Sequence, residues 1–290
     1  MRPLNRLLTA FATGVLLHSG SCWAIAPATV EVVQAPAWVD RGGRTLPLAA
    51  GMELKSGDLV RTGNGARAYL MLAEGSRVKL GEAARFSLHT RSMQPQKSFR
   101  GALDVIAGAF RFTTAKLKKA VPRDMAIRVG TATIGIRGTD VWGKTDKDGD
   151  LIALLEGRIE ITRAGQSTEM SQAMTYFDAP RGKDTAVKAL DPEAFARLAR
   201  QTDIIAGDGA ANAKGGWTLV AGSAASEETA LEIYDQARDA GFAARIRPRA
   251  AEDGGWRYQV VVGRYASAAE ADVAAARLKA ATELKPLVTR

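Results

Sequence analysis

The alternation of apolar and polar residues over positions 217–290 predicts a compact βαββαβ unit. Runs rich in β-favouring residues alternate with segments whose small or apolar residues recur at helical spacing. Ser226 and Gly241 supply the start and stop signals of the first helix, and Pro286 makes the last strand an edge strand. The predicted elements are strand 217–223, helix 227–242, strand 243–249, strand 256–265, helix 268–281 and strand 284–290.

The third of these strands has two different faces. Tyr258, Val260 and Val262 share one side, so we expect them to meet the helices. Arg257, Gln259 and Val261 alternate with them and point to the other side. That open face is the candidate binding surface.

Short alternating apolar runs separated by glycines fill residues 28–189, with almost no helical periodicity. Glu74-Gly75, Glu156-Gly157 and Ala164-Gly165 mark turns between them. The predicted fold class is therefore a mainly-β N-terminal domain built from antiparallel, Gly-rich hairpins. It is followed by an α+β C-terminal domain with the RNP or ferredoxin-like βαββαβ order.

The first residues have the plan of a signal peptide, because Arg2 and Arg6 precede an apolar stretch at 7–17 that is followed by small residues. We expect a leader at 1–26, with cleavage between 24 and 28. An uncleaved anchor or a lipidated Cys22 is the alternative. The apolar stretch is too short to span a bilayer, and no other segment approaches that length. Cys22 is the only cysteine and lies within the leader, so no thiol chemistry is expected in the mature chain. The leader itself predicts that the mature protein is exported and periplasmic.

Asp191-Pro192-Glu193 is a helix start, with a capping side chain and a proline in the first turn. Residues 206–216 are small and polar and resemble a flexible linker, which would let two modules move independently. The expected domains are a β domain at 28–190, a helix and linker at 191–216, and a C-terminal domain at 217–290.

The chain has a net charge of +9, and the basic excess belongs to residues 27–190. The densest basic stretch runs from Lys97 to Arg123 and contains only one acidic residue, Asp104. Outside the cytoplasm it would meet anionic lipid, an acidic wall polymer or an acidic envelope protein, unless it is a merely solvated loop. The candidate patch consists of Lys97, Arg100, Arg111, Lys116, Lys118, Lys119 and Arg123.

The phrases WTLVAGS (217–223) and YQVVVGRYASAAEADVAAARLKA (258–280) resemble the SPOR domain. That family binds peptidoglycan, favouring glycan strands stripped of stem peptides, along the exposed face of its sheet. The family pattern often has glutamine where this chain has Val220 and Val261. The resemblance implies the glycan-binding candidates Val220, Ser223, Trp256, Arg257, Gln259 and Val261.

Three further residues near this surface are an aromatic one, which allows two interpretations, and two arginines. Trp256 stands at the mouth of a hairpin, where it could stack on a sugar ring or cap the hydrophobic core. Arg245 and Arg247 fit solvated charges on an edge strand.

Three further phrases, at 46–81, 131–144 and 151–162, resemble the periplasmic FecR-type domain over roughly Glu31 to Pro180. Named members sense the occupancy of an outer-membrane receptor and signal to a sigma factor through an inner-membrane helix. This chain is expected to have no such helix, so the resemblance implies a β-rich interaction domain and not that transduction mechanism.

The IRGT phrase of this region has glycines on both sides of Ile136-Arg137, which favours a tight structural turn over ligand binding. The turn residues are Arg137, Gly138 and Asp140, with Arg137 held by Asp140 or Asp58. The acidic run 146–150 has its glycine two positions too early for an EF-hand and fits a polar hairpin tip, so no metal is implied.

No catalytic motif is evident. His89 stands alone in an alternating strand, and neither GxSxG nor HExxH is present, so neither an enzyme nor a cofactor is expected. Nucleic-acid binding is disfavoured because Trp217 and Tyr258 fall on the core-facing parity of a nearly neutral unit.

The resulting hypothesis is a non-catalytic envelope protein that binds peptidoglycan through its C-terminal domain and an envelope partner through its β domain. This hypothesis is compatible with enrichment at the division site, where many SPOR proteins gather. The alternative is a FecR-type regulatory or receptor-sensing protein in which the C-terminal domain is accessory.

Overall fold

The computed structural model of the chain describes residues 26–94, 98–115, 123–251 and 254–290. The first fifteen strands form the β domain. They are β1 Ala28–Gln34, β2 Ala37–Arg41, β3 Arg44–Pro47, β4 Glu53–Leu54, β5 Leu59–Thr62, β6 Arg67–Leu72, β7 Arg77–Leu80, β8 Arg85–Gln94, β9 Ser98–Thr113, β10 Arg123–Val129, β11 Ala132–Thr145, β12 Gly149–Arg163, β13 Gln166–Met170, β14 Thr175–Pro180 and β15 Ala186–Ala189.

The described residues after 190 form three helices and five strands. They are α1 Pro192–Thr202, β16 Ala210–Asn212, β17 Trp217–Ala224, α2 Glu227–Asp239, β18 Ala244–Ala250, β19 Trp256–Tyr265, α3 Ala268–Ala281 and β20 Leu287–Thr289.

The β domain forms because its strands alternate buried and exposed residues. In β6, for example, Ala68, Leu70 and Leu72 are buried and join one continuous apolar core. The long strands β9, β11 and β12 form its centre, and their pairing is antiparallel. One pair departs from the antiparallel expectation, since β10 lies parallel to β9.

The C-terminal unit confirms the predicted βαββαβ order. Its four strands lie in the order β20–β17–β19–β18, all antiparallel. Helices α2 and α3 cover one face, where the core includes Leu219, Val260 and Val262. Ser226 and Ser267 cap the two helices through side-chain oxygens that accept from Thr229 N and Glu270 N.

The segment expected to be a flexible linker is instead ordered against both domains. Strand β16 pairs with β1 through Val32↔Asn212, Val33↔Ala211 and Gln34↔Ala210, and it also pairs with β19 through Ala211↔Tyr265. The sheets of the two domains are therefore joined through three residues. The expectation of independent movement does not fit this arrangement.

A single carboxylate holds the chain that leads into β16. Glu270 Oε1 accepts from Gly207 N at 2.7 Å, and Oε2 accepts from Gly209 N at 2.5 Å and Ala210 N at 2.8 Å. Three backbone N–H groups converge on this one carboxylate. These hydrogen bonds hold the segment in one conformation although its glycine content favours mobility.

The two domains also contact each other directly. Arg277 of α3 donates to the carbonyl oxygens of Ala35 at 3.2 Å and Gly65 at 3.0 Å, and burial lowers the pKa of its guanidinium. Gly241 has a φ of +80°, and a Cβ there would lie 2.6 Å from the Trp38 ring. The close approach of α2 to the β domain therefore requires glycine at 241.

Candidate functional site

The open face of the C-terminal sheet carries a row of polar side chains. Ser223 of β17 lies opposite Gln259 of β19, which in turn lies opposite Arg247 of β18. A β-bulge between Val220 and Gly222 shifts the register by one residue, and this keeps Val220 and Ser223 on the same face. The face is thus polar along one row and apolar along the next.

The apolar row consists of the residues that replace the family's glutamines. Val220 pairs with Val261 and with Leu287 of the edge strand β20. Leu287 is 69 % exposed, whereas Val220 is 8 % and Val261 is 6 % exposed. Arg245 completes this row on β18, opposite Val261.

Trp256 does not lie on this face. It shares the parity of Tyr258 and Val260, which point toward the helices, and it sits at the hairpin end with 60 % of its surface exposed. The structure therefore separates Trp256 from Ser223 and Gln259. Neither stacking on the open face nor a buried capping role describes it.

Arginines make the open face basic, and the sequence identified only Arg257 among them as a candidate for binding. Arg245, Arg247 and Arg249 are exposed on the edge strand β18, and Arg257 is exposed beside them on β19. Of the described acidic residues, none forms an ion pair with Arg245, Arg247 or Arg257. The period-2 alternation of 245, 247 and 249 was the available signal.

Of the basic patch predicted in the β domain, the described side chains are those of Arg100 and Arg111. Arg111 forms a two-pronged ion pair with Asp140, with Nε–Oδ1 at 2.9 Å and Nη2–Oδ2 at 2.7 Å. These hydrogen bonds raise the pKa of Arg111, and its guanidinium also lies over the Phe195 ring. Arg111 therefore has a structural role. Arg100 is exposed, whereas Lys97, Lys116, Lys118, Lys119 and the side chain of Arg123 lie outside the described residues.

The two carboxylates proposed for Arg137 bind other arginines. Asp140 holds Arg111, and the buried Asp58 holds Arg41 through two hydrogen bonds. The side chain of Arg137 lies outside the described ones. Gly138 has a φ of +65°, and a Cβ on Gly157 would lie 2.4 Å from the Gly138 carbonyl oxygen. The IRGT phrase and the later Glu-Gly turn thus meet in space.

The acidic run 146–150 connects β11 to β12 as a hairpin, as expected. Asp150 is buried and accepts hydrogen bonds from Thr131 and Thr145. Hydrogen bonding by Lys144 lowers the pKa of Asp146. Within the described ranges, no group of three or more His, Cys, Asp or Glu residues could hold a metal ion.

Sequence reasoning missed a contact between Ser87, His89 and Asp104. The Ser87 hydroxyl and an Asp104 oxygen each lie 3.2 Å from the same His89 nitrogen, Nε2. A nucleophilic triad needs the serine and the carboxylate on different ring nitrogens. Ser87 is also buried and donates to the Asp58 carbonyl, and Asp104 pairs with Arg128. This cluster lacks the geometry of a catalytic triad.

Comparisons with known families agree with both resemblances. Residues 58–160 match "FecR protein" and residues 213–290 match "SPOR domain". No curated protein matches the chain. In the part of the chain that the structure describes, no helix is both long and apolar enough to cross a membrane.

Solved structures that match part of the chain include two proteins from Parabacteroides distasonis, each named as a candidate anti-sigma factor. The one solved at 2.50 Å is 11 % identical, with a TM-score of 0.39, covering 62 % of this chain and 73 % of its own. The one solved at 1.65 Å is 12 % identical, with a TM-score of 0.38, covering 67 % and 95 %. By the family matches, the chain carries a FecR domain followed by a SPOR domain, a family that binds peptidoglycan.

Proposed function

We propose that this protein is a non-catalytic component of the cell envelope that binds peptidoglycan glycan strands on the open face of its SPOR sheet. The observation that carries the proposal is the row formed by Ser223, Gln259 and Arg247 on three adjacent strands. Strands lie about 4.8 Å apart, so the row offers hydrogen-bonding groups over about 10 Å. Such a row can contact a linear saccharide along its length.

The FecR domain engages an envelope partner in this proposal. FecR and SPOR are binding and regulatory families, not catalytic ones. The leader expected at 1–26 lies outside the described residues, and with cleavage there the mature protein is periplasmic. Enrichment at division sites follows if the glycan strands that it binds accumulate there.

Replacing both Ser223 and Gln259 with alanine is expected to weaken binding to sacculi by roughly tenfold. The reason is the loss of two polar groups that would hydrogen-bond the glycan, each contributing about 0.5–1.5 kcal/mol. Co-sedimentation of the purified protein with sacculi, before and after amidase treatment, measures the change.

The matched control is Gln166→Ala with Ser167→Ala, which removes the same two residue types from an exposed strand of the β domain. It should bind as the unaltered protein does. If the unaltered protein sediments with neither preparation of sacculi, the proposal is wrong.

A second candidate function makes the FecR domain primary, as a regulatory or receptor-sensing domain with the SPOR domain accessory. The match over residues 58–160 favours it. The Ser223→Ala, Gln259→Ala variant separates the two candidates in cells. The first predicts that the protein loses its envelope position and its partner cross-links together, and the second predicts that the cross-links persist.

A further inference from the structure

The exposed charges of the SPOR unit are separated between its two faces. The helical face is acidic, since α2 carries the exposed residues Glu227, Glu228, Glu232, Asp235 and Asp239. The open face carries exposed arginines instead, three of them on the edge strand β18 and one, Arg257, on β19. Positive charge is therefore concentrated along one edge of the sheet, where it favours an anionic partner.

The edge strand β18 also has an unpaired side. Of the described strands, β19 alone pairs with β18, over residues 244–250. Proline within a sheet places its nitrogen on the unpaired side, so Pro248 removes one donor from that edge. The stretch before it, 244–247, keeps its full set of backbone donors and acceptors. Such an exposed edge can pair with a strand from another chain.

A cleft of about 460 Å³ lies beside this stretch, at the junction of the two domains. Arg245 and Arg247 line it from β18, and Arg264 lines it from the end of β19. The turn at 48–52 forms the β-domain side, and the apolar surface comes from Val33, Leu48, Met52 and Val261. The described residues that line the cleft include no acid. The cleft therefore offers positive charge and apolar surface together.

We propose that this cleft binds an extended acidic segment of a protein partner, which adds to the outer edge of β18 as a further strand of the SPOR sheet. The inference rests on the proposed function in one respect, because it names the chemistry of the envelope partner. It goes beyond that function by placing the partner at the junction of the two domains and not on the FecR domain alone.

The spacing of the arginines defines the sequence that the segment should have. Side chains on one face of a strand recur every second residue, and Arg245, Arg247 and Arg249 follow that period on the open face. Opposite charges that lie across from each other on neighbouring strands attract. A partner strand with an acid at every second position therefore meets these arginines in turn. Its backbone supplies affinity, and its alternating acids supply specificity.

The size of the cleft agrees with a short segment. Strand residues rise about 3.3 Å each, so the free edge at 244–247 spans roughly 13 Å. Pockets of about 300–1,000 Å³ hold compact ligands, and a volume of 460 Å³ accommodates a few residues of an extended chain but no folded domain. We therefore expect the partner to present this segment in a tail or a long loop.

The direct test uses synthetic peptides with the full-length protein. A peptide of about nine residues that alternates glutamate with threonine is compared with two others. One has glutamine in place of glutamate, and the other has the same composition but consecutive glutamates. Fluorescence anisotropy is expected to show that the alternating acidic peptide binds roughly tenfold more tightly than the glutamine form and about threefold more tightly than the consecutive form.

N-methylated peptides test the strand pairing. Along an extended strand, successive backbone N–H groups point to opposite edges. Methylation of all glutamate nitrogens or of all threonine nitrogens therefore blocks different edges, and only one of these edges faces β18. Binding should be lost from one of the two peptides alone. Equal binding of the two would show that the segment does not add to the sheet.

Charge reversal locates the site. Arg245→Glu with Arg247→Glu should abolish binding of the acidic peptide and create binding of a peptide that alternates lysine with threonine. Lys147→Glu with Lys183→Glu is the matched control, since both lysines are exposed and neither lines the cleft. Its affinities should be those of the unaltered protein.

A single substitution tests the β-domain side of the cleft. Ala50→Glu adds a carboxylate to the turn at 48–52 and should weaken binding of the acidic peptide about threefold by repulsion. Ala50→Gln is its neutral control. Unchanged affinity in Ala50→Glu would exclude the FecR domain from the site. Thermal melts establish that each variant is folded.

The outcomes separate this inference from the proposed function, because sacculus co-sedimentation is measured on the same proteins. Preference for the alternating acidic peptide, reversed in the arginine variant, supports the inference. Equal affinity for the acidic and glutamine peptides, or affinity for neither, overturns it, and sacculus binding by the unaltered protein then still supports the proposed function. If no peptide binds and the arginine variant loses sacculi, the arginines belong to the glycan site instead. Peptide binding without sacculus binding refutes the glycan role and keeps the partner site.

Discussion

Replacing Gly157 with alanine is expected to destabilise the β domain by about 3–5 kcal/mol. Gly157 has a φ of +90°, and a Cβ there would lie 2.4 Å from the Gly138 carbonyl oxygen and 3.1 Å from the Thr139 Cα. Because backbone atoms crowd this position, no side-chain rotation relieves the clash. The central β11–β12 ladder has to shift instead.

Urea denaturation followed by tryptophan fluorescence measures the effect, since Trp142 is fully buried on β11. Gly165→Ala is the matched control. Gly165 has a φ of +80° with nothing within 4 Å of its Cβ position, so its alanine variant should lose only about 1 kcal/mol. Equal losses in the two variants would mean that the contact between the two family phrases has no energetic weight.

Replacing Glu270 with alanine is expected to release the segment between the domains. The change removes three charge-assisted hydrogen bonds to backbone amides, and we expect a local cost of about 3 kcal/mol. Opening of residues 207–212 should then become roughly 100-fold more frequent. Hydrogen exchange of the Gly207, Gly209 and Ala210 amides, and tryptic cleavage after Lys214, both report this opening.

Glu232→Ala serves as its control, because Glu232 is an exposed glutamate on α2. Protection of the three amides should persist in that variant. If their exchange rates in Glu270→Ala remain those of the unaltered protein, strand pairing by β16 is sufficient to order the segment without the carboxylate.

Much of the C-terminal domain could be predicted because its local signals agree with each other. Strand β19 and helix α3 have the predicted bounds, 256–265 and 268–281. The alternation of Tyr258, Val260 and Val262 against Gln259 and Val261 also identified the correct buried face. Periodicity and capping are local in sequence, and here no tertiary contact opposes them.

The site itself could be predicted only in part, because its arrangement depends on contacts distant in sequence. The bulge at Val220 decides which residues share a face with Ser223, and alternation alone does not reveal it. From the sequence alone the arginines of β18 fit solvated charges, because the β-domain residues that lie near Arg245 and Arg247, at 48–52, are almost 200 positions away in the chain. The hypothesis that Trp256 stacks on a sugar rests on its position at a hairpin. Alternation along β19 instead puts Trp256 on the same face as Tyr258, opposite to Gln259.

For residues 206–216, composition alone gave the wrong expectation of a flexible linker. Small residues and glycines at 206–216 are typical of mobile segments. Their amides, however, meet the carboxylate of Glu270 about 60 positions later, and β16 pairs with β1 far earlier in the chain. Such partners fix a segment whatever its own propensity.

Strand β16 has a practical consequence for dividing the protein into fragments. The SPOR match begins at residue 213, one residue after β16 ends. A fragment cut at that boundary loses the residues that pair with Tyr265 and that Glu270 holds. If the β-domain fragment ends at the same residue, β16 keeps its pairing with β1 but loses its pairing with β19. The roles of the two domains are therefore better separated with point substitutions in the intact chain.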